Sequence, residues 1–424
     1  MDFLLIACFV LGYLLIALEN QVNLHKSGVA LLMAALCWTI FQLSGDEPEA
    51  TNLQLAENLA NTGQIVIFLL GAMIIVELIS IYHGFEAVTS RIRTTSAIRL
   101  LWIVSVLTFV LSAVLDNLTT AIVMVTLIRK LIHDVKLRIW FASMVIVAAN
   151  AGGAWSPIGD VTTTMLWIGK KITPATIIVE GFLPSLISLL VPLLWLTWRL
   201  PILKQPLPKP SDEKPESMKG SQLMLGLGLG ALLFVPIYKE VTHLPPYMGI
   251  LLGLGVVWLV ADWLHHKHED PDTRRPPHAM HALARIDASS VLFFLGILSA
   301  IGALEVAGVL EEMSVFLQKT IGNESMIVVA IGILSAVVDN VPLVAGVMGM
   351  YDPATHPTDH PLWIFLAYCA GTGGSMLTIG SAAGVAVMGM EKVPFGWYLK
   401  KMSLLILAGY LAGAAAYLLL FGYH

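Results

Sequence analysis

LSAVLDN at residues 111–117 returns as LSAVVDN at residues 334–340, and each copy sets a carboxylate, Asp116 or Asp339, in the middle of a long apolar run. An ionisable side chain at membrane depth is costly, so its presence marks a site by default. Two such groups at matching places in two halves put that site where the halves meet.

The setting for these runs is a membrane. Hydrophobic residues make up 57% of the chain and charged residues 12%, and the mean hydropathy is +0.80. No soluble domain balances its surface against its core in this way. The opening run lacks a basic stretch and a small-residue cleavage site, so it reads as a first span and not as a removed signal peptide. Cys8, Cys37 and Cys369 each stand alone in an apolar run, which predicts neither a disulfide framework nor a thiolate metal site. The net charge of -5 says little about partners. The lipid bilayer is the partner expected, and no nucleic-acid signature is present.

At the roughly 20 residues a helix needs to cross the hydrocarbon, ten full spans are predicted. They begin near Phe3, Ser27, Thr62, Ile139, Thr176, Ser221, Pro246, Ala288, Leu362 and Tyr398. Two further apolar stretches, residues 100–128 and 325–351, are too long for one span and too short for two. Loop charge resolves them, because Lys and Arg collect on the cytoplasmic side. With the amino terminus outside and both stretches returning to the face they entered from, 20 of the 24 Lys and Arg are cytoplasmic. Only Lys170, Lys171, Lys239 and Lys319 remain outside. A single crossing by either stretch would scatter the basic residues over both faces. Two re-entrant hairpins are therefore predicted, turning at their Asp-Asn pairs, where non-helical backbone survives only if it lines a buried or watered cavity.

The repeat extends beyond the hairpins. GGAWSPIG ending at Gly159 matches GGSMLTIG ending at Gly380, and Trp38 and Trp258 close similar helices. The fold class predicted is an all-α polytopic membrane protein of two repeats, each with five transmembrane helices and one hairpin. An odd number of spans inserts the second half upside down, which makes the repeats inverted. Residues 1–200 form the first repeat, with a broken helix at 139–169, and residues 220–424 the second, with a broken helix at 362–391. The Pro- and Lys-rich segment 201–219 is a cytoplasmic linker. A second linker, 265–285, contains HHKHED, which reads better as a solvated loop than as a metal site. Residues 44–61 carry Asp46, Glu47, Glu49 and Glu57 with no positive charge and are expected as an outside loop.

The broken helices hold the rest of the chemistry. Asn150, Gly152 and Gly153 lead into Ser156-Pro157-Ile158-Gly159-Asp160 and then Thr162 and Thr163. Pro157 removes a backbone donor and Gly159 loosens the chain, so the helix should break there. The second half repeats the plan with Gly373, Gly374, Ser375, Thr378, Gly380 and Ser381. Lone glycines of this kind would serve helix packing; coincidence with the repeat and with an adjacent Asp or Ser favours a site. Asp116, Asp160 and Asp339 are anionic, and Asn117, Asn150, Asn340, Thr162, Thr163, Ser375 and Thr378 offer neutral oxygens. No Lys or Arg lies in the broken regions. Hard cations take oxygen ligands, and a proton and a cation compete for a carboxylate held out of water. That competition is the minimum chemistry of an exchanger. No cofactor is expected.

The paired Asp-Asn tips, the Ser-Pro-Ile-Gly-Asp break followed by threonines, and the two halves resemble the NhaD-type sodium/proton antiporters of the ion transporter superfamily, over nearly the whole chain. The resemblance implies a bacterial inner-membrane exchanger of Na+ or Li+ for H+, active at alkaline pH and serving pH homeostasis, with both termini periplasmic in the topology above. It implies cation ligands at Ser112, Asp116, Asn117, Asn150, Asp160, Thr162 and Thr163. Relatives of this fold are homodimers that move a transport part against a scaffold.

The halves are not equivalent, because Asp160 is matched by Ser381 and Thr119 by Pro342. The metal ion, Na+, is expected at Asp116 and Asp160, with Asp339 as a proton carrier or third ligand. Glu77, His83 and Glu86 near the end of the third span either sense pH or are plain interfacial residues. An anion carrier of the same superfamily, for arsenite or a sodium-coupled dicarboxylate, is the nearest alternative, and the Asp at each tip would repel its substrate. An intramembrane aspartyl protease is a remote one, since Pro157 stands where the first glycine of its Gly-x-Gly-Asp signature belongs. An enzyme is not expected.

Overall fold

The computed structural model describes residues 2–17, 19–44, 48–85, 94–204, 207, 220–267 and 279–422, and no strand occurs among them. The first half comprises α1 Asp2–Ala17, α2 Lys26–Ser44, α3 Pro48–Ile81, α4 Ala97–Ser112, α5 Asn117–Leu131, α6 Val135–Gly153, α7 Val161–Ile168 and α8 Pro174–Arg199. The second comprises α9 Ser221–Thr242, α10 Pro246–Lys267, α11 Ala288–Val306, α12 Val309–Ile321, α13 Glu324–Leu334, α14 Asn340–Met350, α15 Pro361–Gly373, α16 Ala382–Glu391 and α17 Leu404–Phe421. Eight helices among the described residues are long and apolar enough to cross a membrane. Many large apolar side chains, Phe3, Leu43, Trp198 and Leu419 among them, point outward, as a lipid-facing surface requires.

Three features differ from the sequence expectation. The acidic segment before Thr62 is not a loop from residue 48 onward: Pro48 opens α3, and the Leu, Ala, Gln and Glu that follow are strong helix formers, so the span gains about four polar turns. The segments beginning at Phe3 and Leu362 fall short of full spans, the second because its helix stops at Gly373. Helix α12 was not anticipated. Glu311 and Glu312 in its first turn and Lys319 in its last suit the helix dipole, and only Val309 and Leu310 are buried.

Packing joins the halves crosswise, and one pairing, of a hairpin's first arm with the broken helix, recurs within each half. Helix α2 lies along α11 and α10 along α3; α4 lies along α6 and α13 along α15; α5 packs on α16 and α14 on α7; and α8 runs along α17. Small residues set the closest of these approaches. A Cβ at Gly152 would overlap the carbonyl of Phe109, and one at Gly373 the carbonyl of Gly332. The far ends of α4 and α6 therefore lie together. Only residues 132–134 join α5 to α6, so the end of α5 lies beside the start of α6.

Candidate functional site

Among the described residues, helices are interrupted at residues 113–116, 154–160, 335–339 and 374–381. Each helix resuming after a break starts on a side-chain oxygen: Asp116 caps α5, Asp160 caps α7, Asp339 caps α14 and Ser381 caps α16. Short polar side chains cap well because their oxygen accepts from a backbone N–H that the first turn leaves unpaired. Breaks and hairpin tips then lock together by the same contacts in both halves. Ser112 Oγ donates to the Ala149 carbonyl at 2.6 Å and Ser335 Oγ to the Ala370 carbonyl at 2.8 Å. Gly159 sits on the Ser112 carbonyl and Gly380 on those of Ser335 and Ala336, where a Cβ would collide.

Side chains also cross between the halves. Asn340 Nδ2 donates to Asp160 Oδ2 at 3.2 Å. Asn117 Nδ2 donates to Asn150 Oδ1 at 3.1 Å, and Asn150 Nδ2 donates to Ser375 Oγ and Ser381 Oγ, both at 2.9 Å. All these side chains are buried. Around Asp160 the oxygens outnumber their donors. Its Oδ1 has a long bond of 3.4 Å from the Thr162 N–H, Thr163 Oγ1 donates to its carbonyl at 2.9 Å, and the fully buried Thr162 Oγ1 has no hydrogen-bond partner. Buried oxygens short of donors suit a cation, and a hard one in particular.

The two tip carboxylates differ, and Thr119 and Pro342 are the reason. Asp116 is saturated by its own helix, accepting from the Thr119 N–H at 2.8 Å and from Thr119 Oγ1 at 2.5 Å. Pro342 offers neither donor, so Asp339 takes a single bond from the Val341 N–H at 3.2 Å. The Tyr13 hydroxyl of α1 is buried without a partner. The hydrogen bonds thus join Asp160 to the second hairpin, while those of Asp116 stay within its own. Thr378 Oγ1 lies 3.2 Å from the Met388 sulfur, apart from these bonds.

Glu77 lies 3.7 Å from Arg285 Nη1, His83 lies two residues past the end of α3 with a positive φ of 56°, and Glu86 lies outside the described residues. Tyr13 and Glu391 escaped the sequence reading. Helix α1 carries Tyr13 as one aromatic among many apolar residues, and Glu391 beside Lys392 looks like an ordinary interfacial charge.

The two faces differ. A cavity of about 1480 Å3 opens on the face carrying Lys170, Lys239 and Lys319, and its floor includes Met165 and Ile168 of α7 with Ala345 and Met348 of α14. These are the helices that begin at Asp160 and Asp339. At the far end of α16, the Glu391 side chain is fully buried between Arg129 and Arg138. Arg138 Nε donates to it at 2.5 Å, and Arg129 also reaches the Met390 carbonyl.

The family described as "Citrate transporter" matches residues 13–364 of this chain. Sodium/proton antiporter 2 of Arabidopsis thaliana is 47% identical, with 97% of each chain covered, and sodium/proton antiporter 1 of the same plant is 48% identical over 98% of this chain and 72% of its own. The Na(+)/H(+) antiporter NhaD of Alkalimonas amylolytica is 30% identical, covering 98% of this chain and 90% of that protein. The cross-half carboxylate and the twofold breaks therefore sit in a membrane transporter and not an enzyme, and the chain belongs to the NhaD-type sodium/proton antiporter family.

Proposed function

We propose that this protein exchanges Na+ or Li+ for H+ across a membrane, with Asp160 as the carboxylate for which the two ions compete. The observation that carries this reading is the buried Asp160 side chain, completed by Asn340 of the other half and short of donors beside the unpartnered Thr162 hydroxyl. Asp339 carries the proton or supplies a third ligand, and Asp116 holds the first tip in shape. Both hairpins are re-entrant in this reading and the repeats are inverted, for which the crosswise packing and the duplicated Ser112 and Ser335 contacts speak. The outer cavity is the way in, and the Arg129, Arg138 and Glu391 cluster closes the cytoplasmic side. The setting is the inner membrane of a bacterium, with both termini periplasmic, and the working form is a homodimer.

Transport by the protein in proteoliposomes containing a pH-sensitive dye tests the exchange. Addition of Na+ or Li+ should move protons in the opposite direction. The family's description as a citrate transporter favours a second reading, an anion carrier. Against it stand the carboxylates at the breaks and the lack of any Lys or Arg in them. Uptake of citrate or a dicarboxylate with no cation-driven proton movement would replace the first reading with the second.

A further inference from the structure

We infer that Asn150 is a stoichiometry-determining residue: its side chain fills the second-half counterpart of the Asp160 site, so that the chain holds one cation per transport cycle and not two. The inference rests on the proposed exchange at Asp160.

Aligning ANAGGAWSPIGD at 149–160 with AGTGGSMLTIGS at 370–381 pairs Asn150 with Gly371 and Asp160 with Ser381. The same two places therefore carry Gly and Asp once, and Asn and Ser once. Their contacts follow the same exchange. In one place Asn340 Nδ2 donates directly to Asp160 Oδ2. Nothing intervenes because position 371 has no side chain, and a Cβ there would stand 3.6 Å from that carboxylate oxygen and 3.0 Å from the Ala154 Cβ. In the other place the tip amide, Asn117 Nδ2, meets the Asn150 amide oxygen instead of a carboxylate. The Asn150 N–H groups are used up on the Ser375 and Ser381 hydroxyls.

The consequence is a site and a plug. Around Asp160 there is a negative charge, with oxygens lacking donors. Around Asn150 every polar atom of the amide is paired and Ser381 stands where the other place has a carboxylate, so a cation entering there would break three hydrogen bonds without gaining the anion that Asp160 supplies. Twofold folding of the backbone prepares two places, and side-chain chemistry leaves one of them usable.

Counting bound radioactive sodium by equilibrium dialysis at alkaline pH tests this on the purified full-length protein, on Ser381→Asp, and on the double variant Asn150→Gly/Ser381→Asp. One ion per chain is expected for the first two and two ions for the double variant, which has the Gly and Asp pattern in both halves. Two ions in the wild type, two in Ser381→Asp with Asn150 still in place, or one in a folded double variant would overturn the inference. Melting curves establish folding. Should the double variant fail to fold, the counts for the other two proteins decide between one ion and two. No sodium bound by the wild type would overturn the exchange reading itself, a result distinct from any miscount.

Discussion

Asn340 donates to the carboxylate of Asp160 across 3.2 Å, although the two residues are 180 positions apart and belong to different halves of the chain. Any movement that shifts one half against the other alters the coordination at Asp160. In the proposed exchange this links ion occupancy to the relative position of the halves, since a ligand biases a conformational equilibrium only through unequal interactions with its two states. An amide donor suits such a link, because it tolerates a carboxylate, a carboxylic acid or a cation-bound carboxylate as neighbour.

Replacing the charge at Asp160 should therefore abolish function without unfolding the protein. Asp160→Asn keeps an oxygen to cap α7 and to meet Asn340, but has nothing to titrate or to neutralise a cation. Exchange in proteoliposomes should vanish and sodium binding should weaken beyond detection, with the melting temperature near that of the wild type. Wild-type exchange in this variant would remove Asp160 from the site.

Close approach at the breaks predicts a different kind of defect. Gly159→Ala and Gly380→Ala each drive a methyl group into backbone carbonyls that have no room to yield. Overpacking of this sort costs about 1–3 kcal/mol. Both variants should melt below the wild type, and in both the loss of transport should accompany a loss of stability, unlike Asp160→Asn.

At the far end of α16, Glu391 is fully enclosed between its two arginines. Arg138→Ala leaves a buried carboxylate with one partner, and breaking a buried pair in this way costs about 3–5 kcal/mol. Glu391→Gln in the same protein should restore part of the lost stability, since it removes the stranded charge. Denaturation of the two single variants and the double gives the coupling directly, and simple additivity would argue against the cluster as a unit.

A pH effect of separate origin is expected at the start of α15. His360 caps α15 by accepting the Leu362 N–H on Nδ1 at 3.3 Å, an acceptor that protonation destroys. Burial, and then neighbouring His356, push its imidazole below the usual histidine range, with Glu324 opposing them. The unfolded chain then binds this proton more readily than the folded one. Stability from this group is complete above the ordinary histidine value of about 6.5 and is lost as pH falls below it. His360→Asn keeps a capping oxygen and removes the titration, so melting temperature should fall less between pH 7 and pH 5 than in the wild type. An equal fall in both proteins would exclude His360 as its cause.

Much of the architecture was legible because two signals coincided. The Asp-Asn pair of each hairpin repeats within an apolar run, and Pro157 and Gly159 interrupt another, so the breaks follow from backbone chemistry that a sequence displays openly. Which carboxylate faces which neighbour did not follow. Asp116 and Asp339 sit in closely similar local sequences in which Thr119 is matched by Pro342, and only the folded chain reveals that the first is consumed as a cap while the second retains an oxygen for its surroundings. Crosswise contacts such as Asp160 with Asn340 depend on how the halves dock. Helix α12 and the polar turns of α3 were missed because a search for apolar runs of membrane length passes over helices that are short or half polar.

Sodium affinity of the purified wild-type protein, measured from pH 7 to pH 9.5, tests the central claim most directly. If Na+ and H+ exclude one another at Asp160, affinity must fall as pH drops, by up to about tenfold per unit when one proton is displaced, because one pKa unit is worth about 1.36 kcal/mol. A substitution at Thr162 should lower affinity throughout while leaving that slope nearly intact, since it removes an oxygen and no titrating group. An affinity that is constant across the range would contradict competition at a shared carboxylate.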